Sequence, residues 1–194
     1  LMRSWAEIAY RNRGAMLAIP YVFTIVVYYG ETERDVFVWF FGLLVFSAGF
    51  CLRVWARTHH PYRVAVRVGP TTTGPYAYVR NPIYLANIAM LAGAAILSEL
   101  LWFVPIMIVW CFTVYTFVVK REEAHLSNKF GSLYDAYLGA VARWLPKIRH
   151  HLSATVNANR RPLAGCIVAE LRCLLLCLPL IGKEIASEMW RLGA

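Results

Sequence analysis

The sequence predicts an all-α, polytopic membrane protein, a bundle of four to five transmembrane helices. Composition and the spacing of charge carry that prediction. Of 194 residues, 59% are hydrophobic and 16% charged, against roughly 25% charged and 45 to 50% apolar in soluble domains. The mean hydropathy is +0.50. Too little polar surface is present to cover the apolar bulk, and the same composition excludes disorder. The apolar residues also gather into uncharged runs, and about 20 helical residues at 1.5 Å each cross a hydrocarbon core of roughly 30 Å.

Residues 14–30, 36–52, 82–98 and 100–119 each lack any charge. Between Arg80 and Lys120 the only charged residue is Glu99, which is expected at the tip of a helical hairpin whose arms are each about one membrane long. A fifth apolar stretch, 162–182, contains Glu170 and Arg172 and is interrupted by Pro179. It reads either as a fifth span or as a helix lying in the interface. Cys166, Cys173 and Cys177 within it share one helical face.

Charge placement orients these runs by the positive-inside rule. Arg3, Arg11 and Arg13 precede the first, whereas Glu31, Glu33 and Asp35 outnumber Arg34 in the loop that follows. Arg53, Arg57, Arg63, Arg67 and Arg80 follow the second with no acid among them, and residues 120–162 hold eight Lys or Arg. The expected protein is therefore integral and multi-pass, with its amino terminus and the segments 53–81 and 120–162 cytoplasmic. Residues 1–150 read as the core, with the motifs in 68–146, and residues 151–194 as a carboxy-terminal apolar segment, part of the same domain or appended.

Several classes are disfavoured. The net charge of +9 comes from basic residues flanking apolar runs, which suits anionic headgroups and not nucleic acid. No Cys/His cluster has metal spacing, and the five cysteines read as small apolar packing residues. The first apolar run is long and lacks a small-residue cleavage pattern, unlike a signal peptide. Transport is weakly supported because the runs carry almost no ionisable groups at mid-membrane depth. Any chemistry belongs at the cytoplasmic face.

Two polar stretches stand there. In the first, Gly74-Pro75-Tyr76-Ala77-Tyr78-Val79-Arg80-Asn81-Pro82-Ile83-Tyr84, Gly74-Pro75 marks a turn. Asn81-Pro82 places a capping residue and a first-turn proline at a helix start, whose free N–H groups suit an anion. Arg80 adds a bidentate donor for a carboxylate. Alone, this stretch is equally an ordinary helix start with an interfacial tyrosine belt. The second, Lys120-Arg121-Glu122-Glu123-Ala124-His125, is followed by Tyr134, Tyr137, Arg143 and Pro146. A carboxylate pair directly after an apolar span can be turned to the membrane face, where a cationic ligand offsets its desolvation. The hairpin brings Arg80 beside Glu122, and that pairing suits an amino-acid-like ligand with one group of each charge.

As a linked set, GPYxYVRNPxY, a hairpin, an acidic pair and LxxxFGxxYxxY resemble the integral-membrane methyltransferases that include isoprenylcysteine carboxyl methyltransferase and phosphatidylethanolamine N-methyltransferase. The resemblance covers about residues 68–146. It implies a cytoplasmic site for S-adenosylmethionine lined by Tyr76, Arg80, Asn81, Pro82, Ile83, Tyr84, Glu122 and Glu123. The preceding Val68-Gly69-Pro70-Thr71 matches poorly and is not counted. Where carboxyl methyltransferases have His, this chain has Asn81, as phospholipid and bacterial branches do. The position of their acceptor-binding arginine is Val118 here, which leaves Arg121 or Lys120 nearest to replace it. Arg80 and Arg121 are thus the expected catalytic residues.

The implied reaction is methyl transfer from S-adenosylmethionine to a lipid-soluble or lipid-tethered acceptor, with a prenylcysteine-type carboxylate first and a phospholipid amine or small thiol as alternatives. A carboxylate acceptor needs no base; an amine or thiol does, and His125 is the nearest candidate. A reading of another class is a non-enzymatic assembly subunit, using Gly93, Ala94 and Ala95 as a close-packing surface.

Overall fold

The computed structural model describes residues 2–32, 35–60, 69–146 and 161–193. Glu33, Arg34, Arg63, Arg67, Val68, His150 and His151 lie outside the described residues. Helix α1 (Met2–Val26) contains Pro20 and is kinked at Asn12, and α2 covers Asp35–His59. A short 3-10 turn at Gly74–Ala77 leads to α3 (Pro82–Leu97). After the turn Leu101–Phe103 come α4 (Val104–Phe130) and α5 (Ser132–Ala140). Then α6 (Leu163–Glu170) continues through a 3-10 stretch, Leu171–Cys177, into α7 (Leu178–Gly193). Among the described residues there is no sheet, and an isolated bridge pairs Val79 with Ala142.

Three helical runs are long and apolar enough to cross a bilayer: Val36–His59, Leu101–Phe130 and Leu163–Trp190. The stretch with two readings is thus one continuous 28-residue helical run of spanning length. Pro179 is accommodated as the second residue of α7, where a missing N–H costs little, after a preceding 3-10 turn. Helix α3 is apolar but has 16 residues, and α1, which carries Arg11 and Arg13, is not among the spanning runs. The outward faces are apolar, with Phe37 69% exposed on α2, Val109 66% on α4 and Val168 68% on α6. In water such faces would be an aggregation hazard; against lipid they are solvated.

Helices α2 and α3 form the closest pair, running antiparallel. A Cβ on Gly49 would meet the Ala86 carbonyl and Met90 at 2.8 Å, and one on Gly93 would meet the Phe46 backbone nitrogen at 2.6 Å. Gly93 packs on α2, and the fully buried Ala94 and Ala95 beside it join the clusters that hold Leu180 and Met107, so this small-residue stretch packs within the protein itself. Helix α4 packs on α1 and α3 through a core that includes Leu100, Met107, Cys111 and Tyr115.

Glu99 occupies the turn between α3 and α4, as expected, with φ 63° and 2% exposure. Its carbonyl accepts the Thr32 N–H at 3.2 Å. At the same end, the buried Lys183 of α7 donates to the Thr24 carbonyl at 3.2 Å and the Ser98 carbonyl at 3.0 Å, and pairs with Glu31 at 2.7 Å. Those bonds fasten α7 to the two loops. At the opposite end, the last turns of α2 and α4 meet the start of α3, and the polar residues of both motifs collect there.

Replacing Gly93 with valine inserts atoms where the Phe46 backbone already stands, and overpacking of this kind destabilises by roughly 1 to 3 kcal/mol or more. In denaturant titration of the protein in mixed micelles, Gly93→Val unfolds at lower denaturant than wild type. Gly165→Ala, where nothing lies within 4 Å, unfolds no earlier.

Candidate functional site

At that polar end, the loop 69–81, the start of α3, the last turns of α4 and helix α5 enclose a cleft of about 360 Å³. Its size is within the range of small-molecule sites, roughly 300 to 1,000 Å³. Local backbone constraints build its rim. Gly74 has φ +62°, and a Cβ there would stand 2.5 Å from the His59 ring, whose Nδ1 is 3.1 Å from Thr73 Oγ1. Only glycine turns the chain under α2 at this point.

Beyond the turn, the Arg80 N–H donates to the Ala142 carbonyl at 2.9 Å, and the Tyr137 hydroxyl donates to the Tyr76 carbonyl at 2.8 Å. Tyr134 and Tyr137 are 3% and 4% exposed. Burial, with Glu123 adding to it, pushes the Tyr134 phenol up to about 12, and burial also raises Tyr137. Both remain neutral hydroxyls at physiological pH.

The two acidic residues have separate partners. The Tyr84 hydroxyl donates to Glu122 Oε1 at 2.6 Å. Glu123 takes a two-pronged contact from Arg143, Nη2 at 2.5 Å and Nε at 3.2 Å, with Arg80 Nη1 at 3.4 Å. Glu123 therefore ties α4 to both the motif loop and the segment after α5. Asn81 stands at the start of α3 without capping it. Its side chain instead donates to the Arg143 carbonyl at 3.4 Å, because the loop's pairing with residues 142–143 turns it there. Pro82 fills the first turn of α3 as expected and is buried.

Tyr76, Arg80, Asn81, Pro82, Ile83, Tyr84, Glu122 and Glu123 all line the cleft. Arg121 does not. Its guanidinium lies 4.1 Å from the centre of the Tyr10 ring and 3.9 Å from Glu7, both on α1. The next helical position is rotated by about 100°, so a helix that aims Glu122 into the cleft aims Arg121 at α1. His125, also on α4, is exposed and does not line the cleft.

The structure adds residues that sequence reasoning missed. Pro70 and Thr71 line the cleft despite their poor match to the family pattern, as do Arg13, Arg53, His60 and Asn87. Asn87 lies one turn after Tyr84, a spacing that signals a shared face. It donates to the Tyr115 hydroxyl at 2.9 Å and accepts from Arg53 Nη1, while the Tyr84 and Tyr115 rings stack at 4.6 Å. The cleft thus presents two carboxylates, of which Glu123 is paired with Arg80 and Arg143, together with several guanidinium groups and aromatic faces. Among the described residues no group of three His, Cys, Asp or Glu could hold a metal ion.

A model of the phospholipid methyltransferase family matches residues 36–132, from the start of α2 to the start of α5. The nickel-cobalt-cadmium resistance protein NccN of Alcaligenes xylosoxydans xylosoxydans is 24% identical over 107 residues, 55% of this chain and 49% of that protein. The chain spans about half the length of that curated relative. No solved structure matches the chain.

Removing the Arg143 side chain leaves Glu123 with Arg80 alone and frees the strap over residues 78–82. Loss of a partly buried charged contact of this kind costs roughly 1.5 to 3 kcal/mol. By hydrogen-exchange mass spectrometry, Arg143→Ala raises exchange across Tyr78–Asn81, including the Arg80 amide, while peptides from the α2–α3 contact keep wild-type protection.

Proposed function

For a chain that belongs to the phospholipid methyltransferase family, we propose that the cleft binds S-adenosylmethionine and that the protein methylates a lipid-soluble or lipid-tethered acceptor. The observation that carries this reading is the pairing of opposite charges in one cleft. Glu122 faces it on one side, and on the other stands Arg80, whose buried Nε takes no acceptor among the described residues. An orphaned buried donor is costly unless a ligand supplies the acceptor. A cofactor carrying a carboxylate together with ammonium and sulfonium groups matches that donor set, and the cleft volume suits a molecule of its size.

S-adenosylmethionine, when bound, supplies a methyl group already activated on sulfur. The chain's residues then have positioning work to do. Tyr84, hydrogen-bonded to Glu122, holds that carboxylate toward the cleft, where it offsets positive charge. Arg80, anchored by Glu123, receives the carboxylate, and the rings of Tyr76 and Tyr84 flank the remainder. Alignment of two reactants contributes roughly 7 to 11 kcal/mol to such a transfer.

The acceptor of first choice is a prenylcysteine-type carboxylate, because an anionic oxygen attacks without a base. Phospholipid amines and small thiols follow, and for them His60 at the cleft is better placed to take a proton than His125. Apolar outer faces around the site favour entry of the acceptor from the bilayer.

Glu122→Gln and Arg80→Ala each weaken S-adenosylmethionine binding to the protein in lipid by about tenfold or more, the effect of losing one charge-assisted contact. Normal affinity in both variants would remove the assignment. In parallel, label transferred to an S-prenylcysteine appears as a base-labile ester, and label transferred to phosphatidylethanolamine stays in the headgroup.

A further inference from the structure

The helical run from Leu163 onward lies outside the family match, yet one of its side chains bonds to a residue that lines the cleft. Glu170, the last residue of α6, has no exposed surface. Its carboxylate accepts from Arg53 Nε at 2.6 Å on one oxygen and from Arg57 Nε on the other, and Cys173 Sγ lies 3.4 Å away. Arg53 Nη1 in turn donates to Asn87. These two bonds account for the protein partners of the Arg53 guanidinium among the described residues. They fix its plane and leave Nη2 without a protein acceptor, on a side chain that is 19% exposed and lines the cleft.

A guanidinium held through Nε and Nη1, with its Nη2 amino group left to donate, is an anion receptor. Two arginines face the single carboxylate of Glu170, so positive charge remains uncompensated where Arg53 meets the cleft. At the expected acceptor position Val118 is fully buried, and Arg121 faces α1, which leaves Arg13, Arg53 and Arg80 as the arginines that line the cleft. We propose that Glu170 is a positioning residue that presents Arg53 as the receptor for an anionic oxygen of the lipid-borne acceptor, a carboxylate or a phosphodiester. This rests on the methyltransferase reading above and assigns to α6 a part in acceptor recognition.

The test uses the full chain in lipid nanodiscs and two matched probe pairs. N-acetyl-S-farnesylcysteine is compared with its methyl ester, and lysophosphatidylethanolamine with monoacylglycerol of the same chain length. The first pair differs only in the anionic group and the second in the whole phosphoethanolamine headgroup, so the change of each ratio on substituting Arg53 reads the receptor. Wild type prefers one anionic probe by about tenfold, as a charged hydrogen bond implies, and the pair that shows the preference identifies the acceptor's anion. Arg53→Gln and Glu170→Ala bring the ratio to near one. Arg53→Lys and Glu170→Gln, which keep a charge and an oxygen acceptor respectively, retain part of it, a rescue that a general packing defect would not give.

S-adenosylmethionine affinity is measured on the same preparations, and each probe pair is compared at saturating cofactor. An unchanged ratio in Arg53→Gln overturns the proposal, as does a wild type without preference in either pair. Loss of cofactor affinity in Arg53→Gln with the ratio intact also overturns it, by assigning the guanidinium to the cofactor. Failure of wild type to bind S-adenosylmethionine strikes the cofactor reading separately.

Discussion

The close approach of α2 and α3 is the constraint from which the rest of the structure follows. Helices in lipid gain little from apolar burial against each other, so small residues that let backbones touch decide which pairs form. Gly42 against Leu97, Gly93 against Phe46 and Gly49 against Met90 follow in order along the antiparallel pair. Continuing that register brings Arg53 to Asn87. Nearly two turns beyond, His59 meets Thr73 and Gly74. The polar end is therefore placed by apolar contacts well away from it.

Charge is distributed to suit that frame. At one end a single buried cation, Lys183, gathers Glu31 and two backbone carbonyls. At the other, Glu123 and Glu170 each hold two arginines, and Glu122 is bonded to a neutral tyrosine. The two arginine-bound carboxylates act as structural ties. Glu122, which pairs with no arginine among the described residues, is the acid that the proposed function assigns to a ligand's positive charge. A tie and a site of this kind differ by one residue in the sequence and by about a quarter-turn of helix.

Much of this is legible in the sequence. The apolar composition and charge-free runs announce a helical membrane protein, and the position of Glu99 between two such runs announces the hairpin turn. Motif residues from Tyr76 to Glu123 declare themselves because they cluster in two short stretches that a hairpin must bring together. Arg53 and Glu170 do not. Arg53 looks like one more basic anchor at a span's end, and Glu170 like an interruption of an apolar stretch. Their partnership spans 117 positions and leaves no local pattern. Arg121 is the opposite case: it neighbours Glu122 in sequence, yet its place on the helix sets it against α1 and outside the cleft lining.

The tie between Arg53 and Glu170 also sets an order of assembly. At a synthesis rate of about 5 to 20 residues per second, Glu170 is added roughly 6 to 23 seconds after Arg53. Helical hairpins form far faster than that. The nascent chain therefore carries α2, α3 and α4 for seconds with a guanidinium that has Asn87 but lacks the counter-charge of Glu170. Arrival of α6 ends that interval. Maturation of the cleft is in this sense a late biosynthetic event, timed by a helix that contributes to it a single carboxylate.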